Sequence, residues 1–179
     1  MPFSFSPSLL TFLRSLRRHN EREWFAANKA RYERDVREPA LDFIEAMAEP
    51  LEAISPHFVA MPKKTGGSLM RPYRDTRFSK DKTPYKTNVG IQFRHALARD
   101  VHAPGFYFHI DPDEVFIGVG TWRPEPKALA AIRERIVDRP DEWRKVGRSR
   151  LFTRHFELAG EFEVACKQAT APDLAPLVR

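Results

Sequence analysis

The chain has a single cysteine, Cys166, so it cannot form an internal disulfide. Such cysteine usage is typical of a reducing compartment, and we expect a cytoplasmic protein. No apolar run approaches the roughly 20 residues that a membrane-spanning helix needs. No basic residue precedes the apolar part of residues 1–10, so a secretory signal is not predicted.

Several signatures of enzymes and cofactor sites are also missing. The sequence contains no Walker G-x-x-x-x-G-K-[ST] pattern, no H-E-x-x-H pair and no G-x-S-x-G elbow. One cysteine leaves no cysteine pair for zinc. We therefore predict neither a metal nor a cofactor, and the sequence does not name a substrate.

The positive charge of the chain is concentrated in its middle. The formal net charge is +6, from 30 Lys and Arg against 24 Asp and Glu. Residues 1–50 hold 8 of each sign and residues 105–179 hold 12 of each, whereas residues 51–104 hold 10 basic and 4 acidic residues. The whole excess therefore lies in residues 51–104, which is typical of an anion-facing surface or of a solubilising one.

Ser68–Asn88, here called the basic segment, carries most of that excess. It contains six cations and two acids and interleaves them with Tyr73, Phe78 and Tyr85. Pro72 and Pro84 exclude one continuous helix. We predict a strand followed by an irregular loop.

Hydrophobic periodicity predicts an α+β protein with N-terminal helices, a central, mainly antiparallel sheet and C-terminal helices. Helices are predicted over residues 7–18, 20–36, 39–54 and 126–138, a further short segment over 140–146, and strands over 89–94, 106–110 and 115–119. Asn20 and Glu23 have the spacing of a capping box, and Pro50 is expected to kink or shorten its helix. Phe152, Phe156 and Leu158 predict a further strand or a loop. Residues 1–160 are predicted to form one domain and residues 161–179 an irregular tail.

Four strings occur together in one order: NEREWFAANKARY from Asn20, RDTRFSKDKTPYKTN from Arg74, APGFYFHIDPDE from Ala103 and TWRPEP from Thr121. By these strings the chain resembles the bacterial domain of unknown function 2461 family. The resemblance covers residues 5–160 and implies no activity and no catalytic residue. It implies a further basic segment after Gly160 that residues 162–179 lack, so we expect a truncated or altered tail.

The candidate ligand-binding residues are basic or aromatic side chains that suit phosphate or carboxylate groups. They are Arg71, Arg74, Arg77, Lys80, Lys82, Lys86, Trp122 and Arg123. A bend in the segment would bring the arginines together. The alternative is a network of internal ion pairs with Asp75, Glu23 or Glu33.

Candidate catalytic residues are the titratable groups in or near the segment, namely Asp75, Asp81, Tyr85, His102 and His109. Tyr85 beside Lys86 is either a proton donor with a lowered phenol pKa or a packed ring with a wet hydroxyl. His109, Asp111 and Asp113 suggest an oxygen-rich metal site, but a turn at Asp111–Glu114 explains the two aspartates without a metal.

Three functions follow from these candidates. The first is binding of a phosphate-bearing or otherwise anionic ligand, nucleic acid among them. The second is an enzyme that acts on a small anionic substrate in the same pocket. The third is a structural scaffold of internal ion pairs. No membrane partner is expected, and the sequence does not indicate the oligomeric state.

Overall fold

The computed structural model describes residues 3–96, 104–121 and 123–155. The chain divides into two compact units, Met1–Trp122 and Arg123–Arg179. The first contains helices and a four-stranded antiparallel sheet, and the described part of the second contains helices. The predicted α+β class is therefore confirmed. The predicted single domain over residues 1–160 stays a prediction.

Helix α1 (Pro7–Arg18) begins as the sequence predicts. The Ser6 side chain accepts a hydrogen bond from the amide of Ser8, and Pro7 occupies the first helical position, where its missing N–H costs nothing. The helix buries a stripe of apolar side chains at helical spacing: Leu9, Phe12, Leu13 and Leu16. Full burial of each such side chain stabilises the fold by about 1.5–3 kcal/mol.

The helical region after α1 is more interrupted than its periodicity predicts. Its pieces are α2 (Arg22–Ala27), α3 (Lys29–Tyr32), a π-helical turn (Glu33–Arg37), α4 (Glu38–Ala46) and α5 (Ala48–Ile54). The break between α4 and α5 at Met47 reflects Pro50, which has no N–H to donate to the carbonyl of Ala46.

The predicted capping box at Asn20 is wrong. Glu21 is the N-cap residue of α2, and no side chain caps that helix end. The Asn20 side chain instead makes two hydrogen bonds with the backbone of Tyr85, 65 residues away. Tyr85 thus bonds the side-chain amide of Asn20, which the local sequence pattern assigns to the N-terminus of α2.

The sheet has the strand order β1 (Phe58–Val59), β2 (Val89–His95), β3 (Gly105–Ile110) and β4 (Val115–Gly120), all antiparallel. The predicted hairpin of β3 and β4 is confirmed, with Ile110 opposite Val115. One face of β2 carries Val89, Ile91 and Phe93, and this face packs against the helices. Phe43 of α4 marks that contact, since the centroid of its ring lies 6.4 Å from that of the Phe93 ring.

The loop between β3 and β4 is tied to α1. Arg17 donates to Asp111 over 2.8 Å and to Asp113 over 2.6 Å, while Oδ1 of Asp111 accepts the amide of Asp113. These two carboxylates therefore act in a turn and an ion pair. Among the described residues, no three His, Cys, Asp or Glu side chains are grouped as a metal site would require.

The second unit contains α6 (Pro126–Asp138), α7 (Pro140–Gly147) and α8 (Arg150–His155). The predicted strand or loop around Phe152 is wrong where it is described, because Phe152 lies in α8. Phe156, Leu158, Cys166 and the predicted tail lie outside the described residues. Within the described part of the chain, none of the helices combines the length and hydrophobicity that a bilayer crossing requires.

Candidate anion-binding site

The basic segment is extended and starts next to β2, but it is not a regular strand. Leu69 pairs with Ile91 of β2 in an isolated bridge, and a second bridge joins Tyr73 to Tyr85. Around the second bridge the amide of Arg74 donates to Pro84, and that of Lys86 donates to Pro72, over 2.9 and 2.7 Å. Both acceptors are prolines, which have a carbonyl but no N–H, so the pairing does not extend into a ladder.

Tyr85 anchors the returning arm of the segment to the helices. Its backbone is held by Asn20, and its ring stacks on Phe25 with the centroids 4.0 Å apart. Only 6% of Tyr85 is exposed, and burial raises the pKa of its phenol. These contacts favour the packed ring over a proton donor with a lowered phenol pKa.

Arg74 and Arg77 each have an acidic partner within the segment. Nη1 of Arg74 donates to Oδ2 of Asp81 and, over 2.6 Å, to the Thr83 hydroxyl. Nε and Nη2 of Arg77 donate to the two carboxylate oxygens of Asp75 over 3.0 and 2.7 Å. The pair of Arg77 with Asp75 is one that the sequence offers as the alternative to a ligand site, whereas the partner of Arg74 is Asp81, which that alternative does not include.

The two lysines near the tip of the segment differ in their contacts. Lys82 donates to the backbone carbonyl of Thr76 over 2.9 Å, which keeps its charge uncompensated while fixing its position. Lys80 is exposed and has no hydrogen bond or ion pair in the part of the chain that the structure describes. Neither lysine is therefore paired with a carboxylate among the described residues.

Arg71 and Lys86 lie at the base of the segment and form its remaining pair of cations. Burial lowers the pKa of Lys86, and the charge of Arg71 lowers it further. Neither residue forms an ion pair within the described ranges. Asp75 acts on Arg71 only as a longer-range charge, because its carboxylate is held by Arg77. A half-buried ammonium whose pKa a second cation lowers is a site where a bound anion would relieve repulsion.

The aromatic residues of the segment are divided between core and solvent. Tyr85 is buried, Tyr73 is 50% exposed and Phe78 is 94% exposed. The guanidinium of Arg77 lies 5.8 Å from the centroid of the Phe78 ring. The cavity beside Lys86 has a volume of only about 10 Å³. A ligand of this segment would therefore lie on an open surface that displays cations and aromatic rings.

A protein-family model described as a conserved hypothetical protein, domain of unknown function 2461, matches residues 8–173. The chain belongs to this family. The match extends past Gly160, where the resemblance seen in the sequence ends. No curated protein and no solved structure matches the chain. The family description assigns no activity. The roles of individual residues are therefore inferred from the geometry of the site.

The acidic candidates for catalysis are already engaged. The hydrogen bond from the Arg77 side chain, followed by that from the Arg77 amide, lowers the pKa of Asp75 to about 2. For Asp81 the amide of Thr83 is the largest cause and Arg74 the next, and together they lower its pKa to about 2. A general acid or base is most effective with a pKa near the working pH, so neither carboxylate is suited to that role in this arrangement.

Of the two histidine candidates, the structure describes only His109, which reaches the last residue of the basic segment, Asn88. His102 lies outside the described residues. His109 is on β3, where Nδ1 lies 3.0 Å from the Tyr107 hydroxyl and 3.4 Å from the amide nitrogen of Asn88. Its ring stacks on Phe116 with the centroids 4.7 Å apart. In this family member His109 therefore belongs to a polar cluster on the sheet.

Two of the predicted ligand-binding residues follow β4. Trp122 lies outside the described residues, and Arg123 is exposed with a φ of +46°. Arg123 already interacts within the chain, so it does not count as a free cation. The sequence does not indicate the contact of Asn20 with Tyr85, because the spacing of Asn20 and Glu23 is typical of a local capping box.

Proposed function

We propose that this protein binds a phosphate-bearing ligand on the open surface of the basic segment, with Arg71 and Lys86 as the primary contacts. The supporting observation is the pair formed by these two cations, which has no ion-pairing carboxylate among the described residues. Anion binding would remove the repulsion between them and would satisfy the half-buried ammonium group.

The shape of the surface favours an extended ligand over a small molecule in a pocket. Lys80 and Lys82 add uncompensated charges, and Phe78 and Tyr73 offer exposed rings. Single-stranded nucleic acid combines spaced phosphates with bases that stack on aromatic side chains, typically for about 1–3 kcal/mol per base. Single-stranded nucleic acid is therefore the form of ligand that we propose first. The single cysteine makes a reducing cytoplasm the expected place for this binding.

The test is the salt dependence of binding to a fluorescently labelled single-stranded oligonucleotide. Affinity should fall linearly on a double logarithmic plot against salt, because each phosphate contact releases counterions. Replacing both Arg71 and Lys86 by glutamine should weaken binding at least about tenfold at low salt and reduce the slope by about 1.4. Lys127→Gln is the matched control, since Lys127 is an exposed lysine outside the basic segment. Salt-independent affinity, or equal effects of Lys127→Gln and the double variant, would contradict the proposal.

A scaffold role for the middle of the segment is a second candidate, and the internal partners of Arg74 and Arg77 favour it. In that function these arginines hold the shape of the basic segment and make no contact with a ligand. Their loss should then lower the melting temperature without changing the salt slope. The two roles involve different residues and are compatible.

A further inference from the structure

β4 is the last strand of the sheet, and one of its edges has no neighbouring strand among the described residues. The strand at the other end of the sheet, β1, has two residues, whereas β4 has six, all paired with β3 without a bulge. The six residues of β4, VFIGVG, include no charge and no proline. Proteins usually protect a free sheet edge with charges, prolines, bulges or a very short strand, because a free edge can pair with another strand. β1 has such protection in its length, and β4 has none of these features.

The hydrogen bonding of the hairpin shows which backbone groups of β4 point away from β3. The amide of Asp111 donates to the carbonyl of Glu114 over 2.9 Å, so these residues form a hydrogen-bonded pair. In an antiparallel ladder, hydrogen-bonded and non-hydrogen-bonded pairs alternate. Val115, Ile117 and Val119 therefore occupy the non-hydrogen-bonded positions opposite β3, and their N–H and C=O groups point outward from the sheet edge.

The side chains of the same three residues form an exposed apolar row. They lie on the face of the sheet that packs against the helices, because their partners on β3 belong to the hydrophobic core or pack against it. Val115, Ile117 and Val119 are nevertheless 60%, 52% and 58% exposed. Contiguous exposed apolar side chains are typical of interaction surfaces. The edge thus combines outward-facing backbone groups with uncovered apolar side chains.

The sequence of β4 complements itself about Ile117. When two copies pair antiparallel with Ile117 opposite Ile117, Val115 of each copy lies opposite Val119 of the other. Every outward-facing donor and acceptor of the strand then has a partner, and a shift of the register by two residues leaves some of them unmatched. The side chains opposite each other point to the same face, so the apolar rows of the two copies join.

The opposite face of β4 gives a second reason for this register, because it brings Phe116 of one copy beside Gly118 of the other. Contacts within the chain do not require a glycine at position 118. Its φ is not positive, and a Cβ there would meet only Tyr107, at an ordinary 3.9 Å. A glycine inside a strand weakens the strand and often marks the close approach of another backbone. An aromatic ring across from an edge glycine compensates for the missing side chain.

The charges that flank β4 agree with antiparallel pairing of two copies. Glu114 is exposed and directly precedes the strand, and the exposed Arg123 follows it. In the register centred on Ile117, Glu114 of one copy lies opposite Gly120 of the other, at the end of the strand that Arg123 follows. Opposite charges are thus brought to the same end, and no like charges meet at the centre of the contact.

We propose that β4 pairs antiparallel with β4 of a second copy about a twofold axis at Ile117, so that the two sheets become one. The contact comprises one six-residue strand from each copy, whereas a standard interface uses about 20–30 residues a side. We therefore expect a dimer that dissociates in the micromolar range. The proposal does not depend on anion binding by the basic segment.

The first test is sedimentation velocity of the full chain from low micromolar to near-millimolar concentration, with amide hydrogen exchange followed by NMR over the same range. We expect a monomer at the low end and a growing fraction of dimer at the high end. The amides of Val115, Ile117 and Val119 should exchange more slowly as the concentration rises, because they donate to the second copy. The amides of Phe116 and Gly118 donate to β3 and should be protected at every concentration.

The second test compares lysine substitutions at two exposed isoleucines. Ile117→Lys places like charges opposite each other and removes part of the apolar row, so it should weaken dimerisation at least about tenfold. Ile54→Lys is the matched control, since Ile54 is 62% exposed at the end of α5, and it should leave dimerisation unchanged. Circular dichroism of each variant checks that the fold is retained. A wild type that stays monomeric throughout, exchange at Ile117 that does not depend on concentration, or equal losses in the two variants would overturn the proposal.

Discussion

The side-chain amide of Asn20 makes both backbone hydrogen bonds of Tyr85, donating to its carbonyl over 2.9 Å and accepting from its amide over 3.0 Å. Asn20 therefore takes the place of a neighbouring strand at this point of the basic segment. The contact joins the junction of α1 and α2 to a segment that otherwise has few backbone partners. The position of Lys86, the next residue along the chain, depends on it.

Replacing Asn20 by alanine should destabilise the fold by about 1–3 kcal/mol, because two partly buried backbone groups lose their partner. Chemical denaturation followed by circular dichroism measures this change. Asn20→Asp is the comparison variant: its carboxylate keeps an acceptor for the Tyr85 amide but repels the Tyr85 carbonyl, so it should not recover the stability of the wild type. A change within about 0.5 kcal/mol for Asn20→Ala would contradict a structural role.

Replacing Arg74 by glutamine should lower the melting temperature more than the same change at Arg77. Arg74 has a side chain that is 31% exposed and joins Asp81 and Thr83 across the loop, whereas Arg77 is 77% exposed and pairs with a residue two positions away. Exposed local ion pairs contribute little to stability. We expect Arg77→Gln to melt within about 2 °C of the wild type. Equal losses at the two positions would show that the scaffold is not centred on Arg74.

The carboxyl groups of Asp75 and Asp81 should both titrate near pH 2 in the folded protein, as followed by carboxyl carbon NMR. Both pKa values are lowered by folding, so their contribution to stability is complete above the ordinary value of 3.8. It is lost as the pH falls through the folded values near 2.

Single substitutions should separate the causes of the two lowered pKa values. In Arg77→Gln the pKa of Asp75 should rise towards 3.8, because the Arg77 side chain is its largest cause, while the backbone amide of residue 77 continues to lower it. In Arg74→Gln the pKa of Asp81 should recover less, because the backbone amide of Thr83 remains as its largest cause. An unchanged pKa of Asp75 in Arg77→Gln would contradict the described contact.

Anion binding to the basic segment should weaken as the pH rises towards 10.5, the ordinary pKa of a lysine, and the loss should begin below that of an exposed lysine. Folding lowers the pKa of Lys86, so its ammonium group loses its proton within the folded protein before an exposed lysine does. A bound anion favours the charged form of Lys86. Binding in this pH range is therefore accompanied by the uptake of a proton at Lys86.

Lys86→Arg tests whether Lys86 causes this dependence, because a guanidinium keeps its charge throughout the range. Oligonucleotide affinity of the wild type should fall with pH while that of Lys86→Arg stays level. The unliganded wild type should gain stability over the same window, since the unfolded chain then binds more protons than the folded one. The same pH dependence in both proteins would assign the effect to another group.

Local patterns in the sequence predict the elements whose stability is local. The stripe from Leu9 to Leu16 with Ser6 and Pro7 predicts α1, and the alternation from Val89 predicts β2 and its buried face. Turn chemistry at Asp111 likewise predicts the hairpin of β3 and β4. These predictions succeed because side-chain spacing and capping act within a few residues along the chain.

Contacts between residues that are distant in the chain decide what local patterns leave open. The choice among several nearby charged partners is decided in the same way. The charge of the basic segment is evident from its composition. Only the folded chain shows that Asp81 pairs with Arg74 and that Asp75 pairs with Arg77. In the described ranges, folding leaves Arg71 and Lys86 without a carboxylate partner. Asn20 and Tyr85 meet across 65 residues, which no local pattern encodes. The sequence by itself thus determines which residue types are present and which elements they form. The tertiary structure decides which charges neutralise one another, because that depends on distances that the chain acquires only on folding.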